Sequence, residues 1–231
     1  MVRGESICDD TVDVDVTVWL AAPASVPEDL LSPAERVAAS RFHRPADRAA
    51  YVTAHAARRR LVGARLRRAP DEIDFATAPC PVCGAPDHGR PVVAGGGAEV
   101  SLSRTTGLVG VALAPVVVGL DVEAVDRPVG LDDLLPALHP AERDLRPRRA
   151  AALRLWVRKE AYLKGLGTGL GRDPATVDVR ADPPGWWIVD VDAGAGHLAA
   201  VAVRMPDGAR VRVDVSRVGP EALVRPAPAG P

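Results

Sequence analysis

The chain has few aromatic residues, few cysteines and no long uninterrupted hydrophobic run. Aromatic side chains make up 3% of its 231 residues, so we expect Val, Leu and Ala to fill most of the core. Three cysteines cannot form an even disulfide framework, which favours a reducing, cytoplasmic location. The most apolar stretch, residues 109–120, is too short to span a bilayer, and the first residues show no secretory signal.

An excess of charge of either sign is also absent. Lys and Arg total 29 and Asp and Glu total 30, for a net charge of -1. No overall field therefore attracts nucleic acid or a membrane surface, and we expect neither as a partner. The chain is long enough for one large domain or two small ones.

Hydrophobic periodicity predicts a mixed α+β protein. Ser32-Pro33-Ala34-Glu35 is typical of a helix start, and two longer helices are expected near residues 47–68 and 149–166. A Pro/Gly-rich connector is expected at residues 78–98. Strands are expected at residues 12–18, 99–113, 116–123, 186–191, 197–204 and 211–215. This order suggests two similar α+β halves, residues 1–115 and 116–231, that meet near residues 114–117.

Two acids follow an apolar strand in Val118-Gly119-Leu120-Asp121-Val122-Glu123. Residues two apart on a strand point to the same face, so Asp121 and Glu123 should lie side by side. Carboxylates so close repel each other unless a cation lies between them, and magnesium accepts such oxygen ligands. The alternative is a solvated strand end with two surface acids.

A helical segment further along the chain carries a second pattern. Trp156, Glu160 and Lys164 are four residues apart and therefore share one helix face. A carboxylate and an ammonium one turn apart can hold a metal and a phosphate together, or they can form an ordinary surface ion pair. The glycine-rich run after Lys164 is not a Walker loop, because it follows the lysine and ends a helix.

Together these segments resemble the 4'-phosphopantetheinyl transferases of the large, surfactin-synthetase-activating type. The resemblance covers roughly residues 12–205. Its central motifs are Gly119-Leu120-Asp121-Val122-Glu123, the helix from Trp156 to Lys164, and Gly167-Thr168-Gly169-Leu170. Upstream, Gly89-Arg90-Pro91, Ser101-Leu102-Ser103-Arg104-Thr105, Ser32-Pro33, Arg41-Phe42, Asp47 and Arg59 also resemble family segments.

The resemblance implies a fold, a reaction and residue roles. The fold would be a pseudo-dimer of two α+β halves with the active site in the cleft between them. The enzyme would transfer the phosphopantetheine arm of coenzyme A to a serine of an acyl or peptidyl carrier protein and release 3',5'-ADP. The implied magnesium ligands are Asp121, Glu123 and Glu160, with Glu160 also accepting the serine proton. Lys164 and, more weakly, Lys159 would hold the pyrophosphate; Gly89, Arg90, Pro91, Ser103 and Arg104 would line the nucleotide side.

Two departures from the family pattern matter. Arg104 replaces a histidine, so this position can still bind phosphate but cannot titrate. Glu35 and Ala38 occupy places where the family has basic residues for the 3'-phosphate. Arg41 or Arg48 is a candidate substitute, although these two arginines are equally interpreted as part of a solvated helix face.

The partner and oligomeric state follow only from the resemblance. A monomer is expected, because a pseudo-dimer already builds one complete site. The Pro-interrupted segment 124–149 is interpreted either as a docking surface for the carrier protein or as a mobile basic loop. Its basic residues are Arg143, Arg146, Arg148 and Arg149.

Cys80 and Cys83 have the spacing of half a zinc site, and His88 lies close enough in sequence to be a third ligand. The alternative is two loop thiols without a metal, since a closed structural site needs four ligands. Two other functions stay open: a zinc-knuckle nucleic-acid-binding module that uses the arginines at 58–68, and a non-catalytic relative that only binds coenzyme A. The low aromatic content disfavours the former, and the three carboxylates disfavour the latter.

Overall fold

The computed structural model describes residues 13–86 and 88–219, which fold into a mixed α+β architecture. The helices are α1 (Pro33–Ser40), α2 (Pro45–Leu66), α3 (Leu131–Leu134), α4 (Pro140–Arg143) and α5 (Arg149–Leu166). The strands are β1 (Asp13–Ala21), β2 (Phe75–Thr77), β3 (Pro91–Val93), β4 (Glu99–Thr105), β5 (Leu108–Ala114), β6 (Val118–Ala124), β7 (Trp186–Val191), β8 (His197–Arg204) and β9 (Arg210–Arg217).

A four-stranded sheet has the order β4-β5-β1-β9. The pairs β4–β5 and β5–β1 are antiparallel, whereas β9 runs parallel to β1 with Val14 opposite Val211. The last described strand therefore returns to the sheet built by the first part of the chain. The division into halves 1–115 and 116–231 remains a prediction. This prediction did not include the pairing of β9, from the second half, with β1 of the first half.

The second sheet has the order β6-β8-β7 and is antiparallel throughout. It packs face to face against the first sheet through Val16 and Val18 of β1 and Leu120 and Val201 of the second sheet. Helix α2 covers the outer face of the first sheet, and α5 covers the outer face of the second. The layers are thus helix, sheet, sheet and helix, each burying an apolar face against the next.

Local sequence signals explain the edges of these elements. Ser32 and Glu35 form a reciprocal capping box at the start of α1, as the sequence predicted. The predicted bounds of α5, β7 and β8 agree with the structure. Helix α5 ends at Gly167, whose φ of 78° is the left-handed conformation that glycine adopts without strain.

Two predicted elements differ from the structure. Residues 99–113 form a hairpin, not one strand, because the chain turns at Thr106-Gly107, where the φ of Gly107 is 78°. The expected connector at 78–98 contains β3, which pairs with β2. Among the described helices, none is both long and apolar enough to cross a membrane.

Candidate active site at the junction of the two sheets

A row of hydroxyl groups joins β4 to the free edge of β6. Side chains at alternate positions of β4 accept hydrogen bonds from alternate N–H groups of β6, at 3.0, 3.3 and 3.2 Å. The pairs are Ser101 with Leu120, Ser103 with Val122, and Thr105 with Ala124. These bonds satisfy backbone donors that a sheet edge would otherwise leave open, and they fix the register of the two acids on β6.

Asp121 lies at the centre of the junction and is only 4% exposed. Its Oδ1 accepts a hydrogen bond from Ser103 Oγ at 2.9 Å and pairs with Lys164 Nζ at 2.7 Å. The ammonium also donates to Ser103 Oγ at 2.9 Å. Strand β4, strand β6 and helix α5 therefore each contribute one group to a single charged contact.

Glycine allows α5 to approach β6 so closely. A Cβ atom at Gly119 would lie 1.9 Å from the carbonyl oxygen of Ala161, and one at Gly165 would lie 2.6 Å from the ring of Trp186. A larger residue at Gly119 would push α5 away from β6, and one at Gly165 would collide with Trp186 of β7. The glycine of the Gly-x-Asp-x-Glu motif thus brings Glu160 and Lys164 to the acids of β6.

Two buried carboxylate oxygens at this junction have no hydrogen-bond partner: Asp121 Oδ2 and Glu160 Oε1. Burial raises the pKa of Glu160, and the negative charge of Asp121 adds to this effect while Lys164 opposes it. Burial and then the charge of Asp121 likewise raise the pKa of Glu123. Unsatisfied carboxylate oxygens in a buried, like-charged group are what a hard divalent cation such as Mg²⁺ would satisfy, so these residues fit the metal.

Glu123 takes part in this group less directly. It forms an ion pair with Arg127, and its Oε2 accepts a hydrogen bond from Thr105 at 3.3 Å. Within the described ranges, three metal-binding atoms lie within 4.8 Å of one another only at Cys80, Cys83 and His88. The three carboxylates are therefore spaced more widely than that, and Glu123 would exchange Arg127 for a metal at this site.

A cavity of about 320 Å³ adjoins Lys164. Gly89, Arg90 and Pro91 line it, and a Cβ at Gly89 would lie 1.8 Å from the carbonyl oxygen of Ala78. Arg90 forms an ion pair with Glu99 and packs against Gly167. The cavity is therefore lined by basic groups held in place by neighbouring elements.

His55 and Arg58 line the same cavity, and no motif in the sequence predicts them there. His55 stacks on Tyr51 with ring centroids 4.0 Å apart. Burial lowers the pKa of His55, although its hydrogen bond with Glu35 acts in the opposite direction. Only their spacing on α2, three residues apart, marks these two residues in the sequence, and that spacing is common to any helix face.

A second cavity, of about 580 Å³, opens beside Glu123 and Arg127. Arg104 lies at its rim, exposed, with its guanidinium 5.0 Å from the ring centroid of Phe42. Lys164 lines the first cavity and Glu123 lines the second. Arg104 and Arg90 belong to different cavities, whereas the resemblance placed both on the nucleotide side.

The comparison with protein families singles out the same region. Residues 117–201 match the model of the 4'-phosphopantetheinyl transferase superfamily. The matched segment contains β6, α5 and the first part of β8, and with them Asp121, Glu123, Glu160 and Lys164. It begins after β4, so Arg90, Ser103 and Arg104 lie outside it. No curated protein matches the chain.

Lys159 does not lie at this site. It is fully buried, pairs with Glu142 Oε2 at 2.8 Å and donates to the carbonyl oxygens of Pro174 and Val177. Its neighbour Glu160 faces the carboxylates, and adjacent residues on a helix point in different directions. The expected second contact with pyrophosphate is therefore corrected to a structural ion pair.

Arginines on α2 also have structural partners. Arg58 and Arg59 are buried and pair with Glu35 at 2.7 and 2.6 Å, so they do not form a solvated face. Burial of Glu35 is outweighed by hydrogen bonds from His55, the Ser32 N–H and Arg59, which together hold the pKa of Glu35 well below its ordinary value. In the sequence, Glu35 is distinguished only by its position in the capping box at the start of α1.

Two further arginines named in the sequence analysis, Arg48 and Arg149, also have partners within the protein. Arg48 pairs with Glu28 and lines a third pocket, and it lines neither the cavity beside Lys164 nor the one beside Glu123. Arg149 donates three hydrogen bonds to the carbonyl oxygens of Val125, Arg127 and Val129. It therefore anchors the loop after β6, and a docking role for segment 124–149 would depend on its other arginines.

Proposed function

We propose that this protein transfers the 4'-phosphopantetheine arm of coenzyme A to a serine of an acyl or peptidyl carrier protein. The observation that carries the proposal is the pair of unsatisfied oxygens, Asp121 Oδ2 and Glu160 Oε1, beside the ammonium of Lys164. This group lies inside the segment that matches the transferase superfamily. A buried cluster of acids with open oxygens beside a cation is suited to a magnesium-bound pyrophosphate.

The reaction is a phosphoryl-type displacement. The serine oxygen forms a bond to the phosphorus that carries the pantetheine arm, and the bond from that phosphorus to the bridging oxygen breaks. The leaving group is 3',5'-ADP. A bound Mg²⁺, held by Asp121 and Glu160 with Glu123, would neutralise charge on the pyrophosphate.

The chain's own groups perform the remaining steps. Glu160 accepts the serine proton, and its raised pKa makes it a better base than an ordinary surface carboxylate. Lys164, whose side chain is 29% exposed, holds the pyrophosphate from the cavity side while Asp121 and Ser103 fix its ammonium. Gly89, Arg90 and Pro91 would position the nucleotide in the same cavity, with His55 and Arg58 opposite.

The finer assignment is to the large, surfactin-synthetase-activating type with a pseudo-dimeric fold, acting as a monomer. It is supported by the Gly-Arg-Pro wall and by the hydroxyl row of β4, both of which lie upstream of the matched segment. A nucleic-acid-binding role is disfavoured because Arg58 and Arg59, the start of the basic run, are bound to Glu35.

Intact mass measurement of apo carrier proteins tests the proposal. The chain would be incubated with coenzyme A, Mg²⁺ and a panel of acyl and peptidyl carriers. We expect a mass gain equal to one phosphopantetheine arm, lost when a chelator replaces Mg²⁺ or when the carrier serine is changed to alanine. Binding of coenzyme A with no mass gain on any carrier would contradict transfer and favour a non-catalytic coenzyme A-binding protein.

A further inference from the structure

The loop between β2 and β3 contains a group of potential metal ligands that the proposed reaction does not use. Cys80, Cys83 and His88 each offer one ligand atom, and these atoms all lie within 4.8 Å of one another. Cys83 Sγ and His88 Nε2 are 3.2 Å apart. The loop precedes the segment that matches the transferase superfamily, so the family comparison assigns it no role.

The backbone holds the two sulfur atoms on the same side of a tight turn. The N–H of Cys80 donates to Ala85 and the N–H of Gly84 donates to Cys80, each at 2.8 Å. Gly84 has a φ of 74°, which lets the chain reverse directly after Cys83. The turn is therefore built by the backbone and does not depend on a bond between the two thiols, which are both free.

The chemistry of the three ligands selects the metal. Two thiolates and an imidazole form a nitrogen and sulfur set, which favours zinc over magnesium or calcium. Cys80 is buried, whereas Cys83 and His88 are exposed, so one side of the group faces solvent. A tetrahedral ion held by three such ligands would keep that open side for a water molecule.

We propose that Cys80, Cys83 and His88 bind a zinc ion whose fourth ligand is water. Its role is to position the wall of the cavity beside Lys164, since His88 is followed directly by Gly89, Arg90 and Pro91. At the base of the loop, the Ala78 N–H donates to the Arg90 carbonyl at 2.9 Å. A metal at the tip and this bond at the base would hold both ends of the loop. Only the effect on nucleotide binding rests on the proposed function.

Metal content of the untagged full chain tests the site without any activity assay. We expect one zinc ion per chain by elemental analysis after purification or reconstitution, and thiolate-to-metal absorption when Co²⁺ replaces Zn²⁺. Cys83→Ser and His88→Gln should each lose most of the zinc while keeping the far-UV circular dichroism of the wild type, because both side chains are exposed. Absence of bound zinc in the reconstituted wild type, or full binding by Cys83→Ser, would overturn the proposal.

Two control variants separate this site from the others. Glu160→Gln removes a carboxylate of the candidate active site and should retain zinc, so its loss of transfer would leave the zinc site standing. Cys8→Ser, outside the described residues, should also retain zinc. Loss of zinc from Cys8→Ser would overturn the assignment of water as the fourth ligand.

Discussion

The two lysines of the sequence, Lys159 and Lys164, lie five residues apart on the same helix and have opposite surroundings. Lys159 is fully buried against Glu142, and each oxygen of that carboxylate has partners: Oε1 accepts from Val179, and Oε2 from His139 and Lys159. Lys164 meets Asp121, which has one oxygen without a partner. We call the Lys159–Glu142 pair the closed contact, because both carboxylate oxygens have partners. The Lys164–Asp121 pair is the open contact, because one carboxylate oxygen can still bind a ligand.

This difference separates a structural ion pair from a candidate reaction site. A buried charge is tolerated when all its hydrogen bonds are made, as at Glu142. An oxygen left unsatisfied beside other acids costs stability and is retained where a ligand completes the group. The comparison predicts that substitutions at the open contact change activity, whereas substitutions at the closed contact change stability.

The largest expected effect is that of Glu160→Gln on transfer. Removing a base that also binds the metal should lower the rate by about 10²–10⁴-fold, the usual contribution of a general base. Mass spectrometry of a carrier protein over time measures this rate. Glu142→Gln is a matched control, since it also neutralises a buried carboxylate but lies at the closed contact with Lys159, and the open site should keep its rate per folded molecule. Equal rate losses in both variants would contradict the distinction.

Lys159→Met should lower the free energy of unfolding by about 3–5 kcal/mol, because Glu142 would remain buried without its cation. Urea denaturation measures the change. The double variant Glu142→Gln/Lys159→Met removes both charges and should recover part of the loss. If Lys159→Met were as stable as the wild type, the ion pair of Lys159 with Glu142 would not stabilise the fold.

Gly119→Ala should lower the free energy of unfolding by about 1–3 kcal/mol, the usual cost of overpacking. The added methyl would meet the Ala161 carbonyl, so α5 must shift and carry Glu160 and Lys164 away from Asp121. Transfer should therefore fall together with stability. Gly171→Ala is the control, since a Cβ there meets nothing within 4 Å. Full transfer by Gly119→Ala would show that transfer does not require the close approach of α5 to β6.

The smallest expected effects are in the pH dependence of stability. The pKa of Glu35 is lowered in the folded state, so its ionised form stabilises the fold at neutral pH and this stability is lost as the pH falls below about 4.5. The pKa of Glu160 is raised, so in metal-free protein its ionisation costs stability as the pH rises above about 4.5. Relative to the wild type, Glu35→Gln should therefore become less stable with rising pH, and metal-free Glu160→Gln more stable. Thermal unfolding measured from below to above about pH 4.5 gives both trends. A change of the same sign in both variants would contradict the opposite pKa shifts of Glu35 and Glu160.

The sequence predicted the parts of the site that depend on local spacing. The period of the strand placed Asp121 and Glu123 on β6, and the helical period placed Glu160 and Lys164 on one face of α5. The same reasoning could not predict which face of α5 is buried, because Glu142, the partner of Lys159, lies in a separate helix. The match between the hydroxyl row of β4 and the edge of β6 also depends on how the two sheets pack. The pairing of Arg58 and Arg59 with Glu35 could not be predicted for the same reason, since Glu35 belongs to another helix.

Parallel measurement of transfer rate and melting temperature in Glu160→Gln and Lys159→Met tests the central claim most directly. We expect Glu160→Gln to lose transfer with an unchanged or higher melting temperature in the absence of metal. Lys159→Met should melt at a lower temperature and keep its transfer rate per folded molecule at a temperature below its unfolding transition. The reverse pattern, with transfer lost in folded Lys159→Met and retained in Glu160→Gln, would contradict the assignment of the open contact as the reaction site.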